Sequence, residues 1–211
     1  MDIILMGAPG AGKGTQAQWL ETKLSYRHIS TGDVLREEIA SGSELGKQVA
    51  AIINGGDLIP DELMLSMLKQ IVSTSKEDIV FDGFPRTAVQ AEMLDQMLAE
   101  LGRKLGKVIE ITVPDEKVVT RLSARKQCKL PSGEVRQIGP NFSLEQCQAQ
   151  GGEIFVRPDD TPDSIMHRLA VYHKQTEPVI EFYHADGRFV RINGDQSPDK
   201  VLADLLSVLK A

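Results

Sequence analysis

The chain carries no excess of positive charge: 24 Lys and Arg against 30 Asp and Glu leave a formal net charge of -6. That balance argues against a general electrostatic hold on nucleic acid or a membrane surface, so any cationic surface must be local and built for a small anion. No apolar run approaches the roughly 20 residues needed to cross a bilayer. Met1-Asp2 leads directly into Ile3-Ile4-Leu5-Met6 with no basic stretch or cleavage site, so no export signal is expected and the cytoplasm is the expected location. Cysteine is nearly missing, and Cys128 and Cys147 alone do not make a secreted disulfide framework. His28, His167, His173 and His184 are scattered, with packing or surface roles expected. No Ser-His-Asp or Cys-His spacing points to a covalent nucleophile. Repeats and low-complexity tracts are absent too. What remains, 211 residues of which 41% are hydrophobic, is one domain with a real core and room for inserted subdomains.

The most informative segment is Gly7-Ala8-Pro9-Gly10-Ala11-Gly12-Lys13-Gly14-Thr15, between the apolar run Ile3 to Met6 and the helix-like Gln16-Ala17-Gln18-Trp19-Leu20. A Gly-rich turn between a buried strand and a helix points consecutive backbone N–H groups into one concavity, where no Cβ blocks a phosphate. The following helix adds its positive dipole end. Gly10, Ala11, Gly12, Lys13, Gly14 and Thr15 are therefore candidate nucleotide contacts, with the Lys13 charge aimed at the β- and γ-phosphates. The usual pattern places Ser or Thr directly after the Lys. Here Gly14 intervenes, which makes Thr15 a less secure Mg²⁺ ligand.

Further strands are expected at His28–Ser30, Asp78–Phe81, Lys107–Val113 and Arg188–Ile192, each separated by helix-length pattern. Alternating βα units imply a parallel sheet with helices on both faces. The last strand alternates in polarity, as an edge strand does. Two regions break the rhythm. Thr31 to Ile59 reads as two helices before any new strand, and Gln127 to Asp160 is short, irregular and Gly/Pro-containing. Both are expected as insertions over the active edge of the sheet, the second as a lid.

Asp82-Gly83-Phe84-Pro85-Arg86 follows the third strand, at the carboxyl edge where open α/β sheets bind ligands. Asp82 is placed to hold a water on Mg²⁺, and Arg86 to grip a phosphate. Arg121 and Arg125 are expected one turn apart on the helix opened by Pro114, a like-charge pairing that suits an anion. Arg157, Arg168 and Arg36 complete a candidate ring of guanidinium groups. Many cations and few bases suit phosphoryl transfer, where alignment, charge stabilisation and exclusion of water do most of the catalysis.

Together with Ser30-Thr31-Gly32-Asp33-Val34-Leu35-Arg36 and Asp82-Gly83-Phe84-Pro85-Arg86-Thr87, the Gly-rich loop resembles adenylate kinase of the long-lid bacterial type, in the nucleoside monophosphate kinase family. The resemblance covers essentially the whole chain. It implies a P-loop kinase fold with a five-stranded parallel sheet in the order 2-3-1-4-5, and reversible transfer of the γ-phosphoryl group of MgATP to AMP, giving two ADP. Residues 30–59 would be an AMP-binding lobe and residues 127–160 a lid over ATP. The resemblance assigns Lys13 to the transferred group, Arg36 and Arg86 to the AMP phosphate, and Thr31 and Gln90 to its adenine, with Leu58 and Gly83 also at the AMP site. It assigns Arg121 to stacking on the ATP base, and Arg125, Arg157 and Arg168 to the phosphates. A monomer acting on ATP, AMP and ADP is implied, with Mg²⁺ held mainly by phosphates and waters near Thr15 and Asp82.

The lid departs from the pattern. Relatives often hold structural Zn²⁺ with two Cys-x-x-Cys pairs, whereas here Cys128-Lys129-Leu130-Pro131 and Cys147-Gln148-Ala149-Gln150 keep only the leading cysteines. Pro131 and Gln150 cannot supply a thiolate or imidazole, and the insertion adds only Glu134, Glu145 and Glu153. Structural Zn²⁺ is not expected; a packed or hydrogen-bonded lid is. A Cys128–Cys147 disulfide is geometrically open but disfavoured in a reducing cytoplasm. Arg136-Gln137 stands where relatives show Tyr-His, which puts the lid's internal stacking in question. A UMP/CMP kinase is the nearest rival, opposed by Thr31 and the long lid. A GTPase-like switch lacks the Asn-Lys-x-Asp motif, and a binding protein without catalysis stays open.

Overall fold

Successive residues of β1 (Asp2–Met6) are all buried, Ile3 and Leu5 in one apolar cluster and Ile4 and Met6 in the other. This period-two division explains why the strand reads as an unbroken apolar run: both faces of the sheet are covered. The computed structural model describes residues 1–55, 59–185 and 187–210; Leu58 lies outside the described residues. After β1 come α1 (Lys13–Leu24), β2 (Arg27–Ser30), α2 (Thr31–Ala40), α3 (Glu44–Gly55), α4 (Asp61–Thr74), β3 (Ile79–Asp82), α5 (Ala88–Glu100), β4 (Leu105–Thr112) and α6 (Asp115–Ser123). The irregular insertion contains β5 (Gln127–Lys129), β6 (Val135–Gln137), α7 (Leu144–Ala149) and β7 (Glu153–Phe155). The chain then returns through α8 (Pro162–Val171), a π-helical turn at Tyr172–Thr176, α9 (Val179–His184), β8 (Phe189–Asn193) and α10 (Pro198–Lys210).

The main sheet is parallel, in the order β2-β3-β1-β4-β8. This is the expected 2-3-1-4-5 order, since β5 to β7 belong to the insertion, and β8 is the expected edge strand. On one face Ile4, Ile29, Phe81 and Val108 pack with residues of α4, α5 and α9. On the other, Ile3, Val80, Ile109 and Ile111 pack with Ala17 and Leu20 of α1 and Val201 and Leu205 of α10. The carboxyl ends of β1, β2 and β3 therefore open between the helices, where the loops after them meet.

The insertion forms a three-stranded antiparallel sheet, β6-β5-β7, over a core of Cys128, Leu130, Phe142 and Cys147. Four buried side chains make a small core, and such units need a staple. Cys128 and Cys147 supply one as a disulfide. This corrects the expectation of a lid held by packing and hydrogen bonds alone. The pairing of β5 with β7 and the turn of α7 bring the two leading cysteines face to face, with Gly152 so close to both sulfurs that a Cβ there would collide with them. At the Tyr-His position, the Arg136 guanidinium lies 5.1 Å from the centroid of the Phe142 ring and pairs with Glu134. A cation over an aromatic face thus occupies the position where stacking was in question.

The cysteines are 19 residues apart, and closing a loop of that length stabilises by about 3 kcal/mol in the chain-entropy description. Reduction, or Cys128→Ser with Cys147→Ser, is expected to speed amide hydrogen exchange across residues 127–160 and leave β1, β3 and β4 protected. Unchanged exchange in the insertion would show that the bridge contributes nothing there.

Candidate functional site

The loop after β1 is shaped by close approaches. Gly7 has φ 136° and passes so near the backbone oxygen of Ile111 in β4 that a Cβ would collide with it. Gly10, at φ 79°, lies against Leu122 of α6, 2.8 Å from where its Cβ would sit. Gly12 caps α1 at φ 104° and offers no side-chain hydrogen bond to the first turn. The N–H groups that a Ser or Asp cap would occupy are left to an anion. Lys13 Nζ donates to the carbonyls of Gly7 at 2.8 Å and Ala8 at 3.0 Å, so the ammonium is folded across its own loop.

Gly14 has a physical explanation. A Cβ there would lie 3.3 Å from Asp82 Oδ2, so the carboxylate at the end of β3 crowds the place where a Ser or Thr side chain is usual. His28 Nε2, on β2, lies 3.3 Å from the same oxygen. Burial opposes protonation of His28, but the Asp82 hydrogen bond and charge outweigh it and raise the pKa. His28 thus lines the main cavity, a role its scattered position did not suggest. His173 is exposed and bridges Asp115 and Glu177, 2.9 Å from each.

That cavity, about 760 Å³, is lined by Gly10, Ala11, Gly12, Lys13, Gly14, Thr15, Arg36, Asp82, Gly83, Arg86, Arg121, Arg125, Arg157 and Arg168. A second, of about 90 Å³, is lined among others by Thr31, Leu35, Ile59, Met64 and Gln90. The two share Gly32, Arg36, Gly83, Arg86, Arg157 and Arg168. Every nominated residue among those described therefore lines one cavity or both. Thr31 is buried and donates to the Gly83 carbonyl at 3.0 Å, and Arg86 Nε donates to the same oxygen at 2.7 Å. Burial lowers the pKa of the Arg86 guanidinium. Arg36 pairs with Asp33 one turn earlier.

Two expectations change. Arg125 lies beyond the end of α6, so it does not share a helix face with Arg121: the helix stops at Ser123, and Arg125 turns to Asp160. Arg121 instead donates to the Gly194 carbonyl at 3.0 Å. The arginines also have counter-charges that sequence reading missed. Arg125 makes a two-pronged contact with Asp160, Arg157 does so with Asp159, and Arg168 reaches both carboxylates. The acids are buried, and burial pulls Arg168 down to about 10. The available signal was the run Arg157-Pro158-Asp159-Asp160, just before the helix start Thr161-Pro162. Asn141 of the insertion was also missed; it donates to the Thr15 carbonyl at 3.2 Å and to Gln18 at 2.8 Å, which brings the insertion onto α1.

A strand, glycine-shaped loop and uncapped helix on the larger of two adjoining cavities, with a wall of arginines shared by both, can bind two phosphorylated ligands end to end. Comparison with known proteins agrees. A family model described as adenylate kinase matches residues 5–188. The chain is similar to the adenylate kinases of Caldicellulosiruptor bescii, at 43% identity over 99% of each chain, and of Desulforamulus reducens, at 43% over the full length of both. It is also similar to that of Methanothrix thermoacetophila, at 40% identity over 99% of this chain and 98% of the relative. Matches of this extent, on a fold that lines the larger of the two cavities with the P-loop, make the chain a member of the adenylate kinase family.

Proposed function

We propose that the protein transfers the γ-phosphoryl group of MgATP to AMP, reversibly giving two ADP. The observation that carries this reading is the shared arginine wall: Arg36, Arg86, Arg157 and Arg168 line both cavities. A donor phosphate chain on the P-loop and an acceptor phosphate from the smaller cavity would meet at that wall. The larger cavity takes ATP, held by Gly10 to Thr15, with Arg121 against its base and Arg125 on its phosphates. The smaller takes AMP, with Thr31, Leu58, Gly83 and Gln90 toward the base and Arg36 and Arg86 on the phosphate. Residues 30–59 act as the AMP lobe and residues 127–160 as the lid. A pyrimidine acceptor is not favoured, since the full-length relatives are named adenylate kinases.

Catalysis in this reading is alignment and charge. Lys13, Arg86, Arg125, Arg157 and Arg168 surround the moving group and stabilise charge spread over its oxygens, while the lid excludes water. Asp159 and Asp160 hold the guanidinium groups in position until phosphates compete for them. The oxygen donors near the P-loop suit Mg²⁺, which prefers one or two carboxylates plus phosphates and waters. Asp82 and the Thr15 hydroxyl would hold it, and bound there it would neutralise phosphate charge. Zn²⁺ has no part in this reading, because the two lid cysteines are bonded to each other. The protein is proposed to work as a cytoplasmic monomer without nucleic-acid or membrane partners, its lid disulfide fully buried and so shielded from the reductants of that compartment. Among the described residues no helix is long and apolar enough to cross a membrane.

Burial pulls the Lys13 ammonium down to about 8, with Arg86, Arg168 and Arg125 adding to the effect and Asp82 opposing it. A bound phosphate favours the charged form and raises this value again. Between about pH 8 and 10, ATP binding should therefore take up a proton, and affinity should fall as pH rises through that window. Calorimetry at pH 8.5 in buffers of different ionisation enthalpy reads the uptake directly, and Lys13→Met should abolish it.

Coupled assays with MgATP and AMP, CMP, UMP or GMP should show strong preference for AMP. Preference for a pyrimidine would overturn the acceptor assignment, and no transfer at all would leave binding without catalysis. Lys13→Ala and Arg86→Ala should each cost about 10²- to 10³-fold in turnover with the circular-dichroism spectrum unchanged. Near-normal turnover in either would sink its assignment.

A further inference from the structure

Gln90 is buried and lines the smaller cavity, and both ends of its amide are held. Its Oε1 accepts from the backbone N–H of Arg86 at 2.7 Å, and its Nε2 donates to Asp61 Oδ1 at 2.6 Å. The partners leave no choice of orientation. A peptide N–H can only donate and an ionised carboxylate can only accept, so turning the amide over would set donor against donor at one end and acceptor against acceptor at the other. Asp61 is itself anchored, its second oxygen accepting from Thr87 Oγ1 at 3.4 Å, and Thr87 caps α5 by accepting the Gln90 N–H. The first residue of α4 is thus tied to the first turn of α5.

A primary amide has two N–H donors and two carbonyl lone pairs. With one of each engaged, Gln90 keeps one N–H and one lone pair, in fixed order, for an occupant of the smaller cavity. A 6-aminopurine presents an acceptor at N1 beside a donor at N6, which matches that order. A 6-oxopurine presents a donor at N1 beside an acceptor at O6, which reverses it. We propose that Asp61 is a specificity-determining positioning residue: by fixing the Gln90 amide it makes the acceptor site read a 6-aminopurine and reject a 6-oxopurine. This rests on the reading above that Gln90 meets the acceptor base. Discrimination of this kind is strong because the wrong base leaves buried polar groups unpaired.

The test compares AMP with inosine monophosphate as acceptors under saturating MgATP. In Asp61→Ala, and in the milder Asp61→Ser, the ratio of kcat/KM for AMP over inosine monophosphate should fall tenfold or more, mainly through a higher KM for AMP. Asp61→Asn keeps an acceptor for Gln90 Nε2, because the Arg86 N–H still fixes the other end, and should restore most of the ratio. A residue that only tied α4 to α5 would lower thermal stability and move both acceptors together. Gln90→Ala separates the two levels of the argument. If it leaves the AMP KM unchanged, the placement of Gln90 against the base has failed. If it raises that KM while the Asp61 variants keep the wild-type ratio, Asp61 does not set specificity.

Discussion

Burial depresses the protonation of Lys13, and Arg86, Arg168 and Arg125 crowd close enough to add to it, as Arg125 and Arg157 do for Arg168; the architecture around the site answers that repulsion. Like charges in a partly desolvated cleft cost free energy unless counter-charges are supplied. Asp82 answers Lys13 from the end of β3, while Asp159 and Asp160 answer the arginines from the segment that leads out of the insertion. These pairings hold cations with long, flexible stems in place, so little side-chain freedom would be lost if phosphates replaced carboxylates as their partners, as proposed above. The same crowding makes the cleft selective for highly charged ligands, since a neutral one relieves none of the repulsion.

The sheet delivers these groups to one place because its strands share a direction. β1 ends in the glycine loop, β2 in the cap of α2 and β3 in Asp82, and parallel pairing sets these three ends side by side. Covering both faces with helices fixes strand positions through the two apolar clusters, so the polar ends are placed by packing remote from them.

Much of this was legible in residue order. The glycines at 7, 10 and 12 announce backbone that other residues cannot adopt, and the buried strands announce themselves by unbroken apolar runs. What escaped was set by tertiary contact. Arg125 was counted on a helix that stops two residues earlier, because helix ends depend on what the next residues can reach. Asp159 and Asp160 looked like ordinary acids before a helix start, and only the fold turns them toward three arginines. His28 shows no local pattern; its role comes from the pairing of β2 with β3. The cysteine pair was judged by its compartment, whereas the antiparallel pairing of β5 with β7 decides whether two sulfurs meet.

The disulfide joins two residues of the insertion to each other and none to the main sheet. The segment from 127 to 160 is therefore cross-linked internally and meets the rest of the chain through its two ends, the Asn141 hydrogen bonds to Thr15 and Gln18, and the pairing of Asp159 and Asp160 with Arg125 and Arg168, contacts that can part while the segment stays folded as a stiff plate. A unit closed on itself in this way keeps its own fold when those contacts break, so the ordering entropy of some thirty residues need not be lost anew each time they re-form. Where a flexible loop would have to find its closed shape, a plate has only to find its angle.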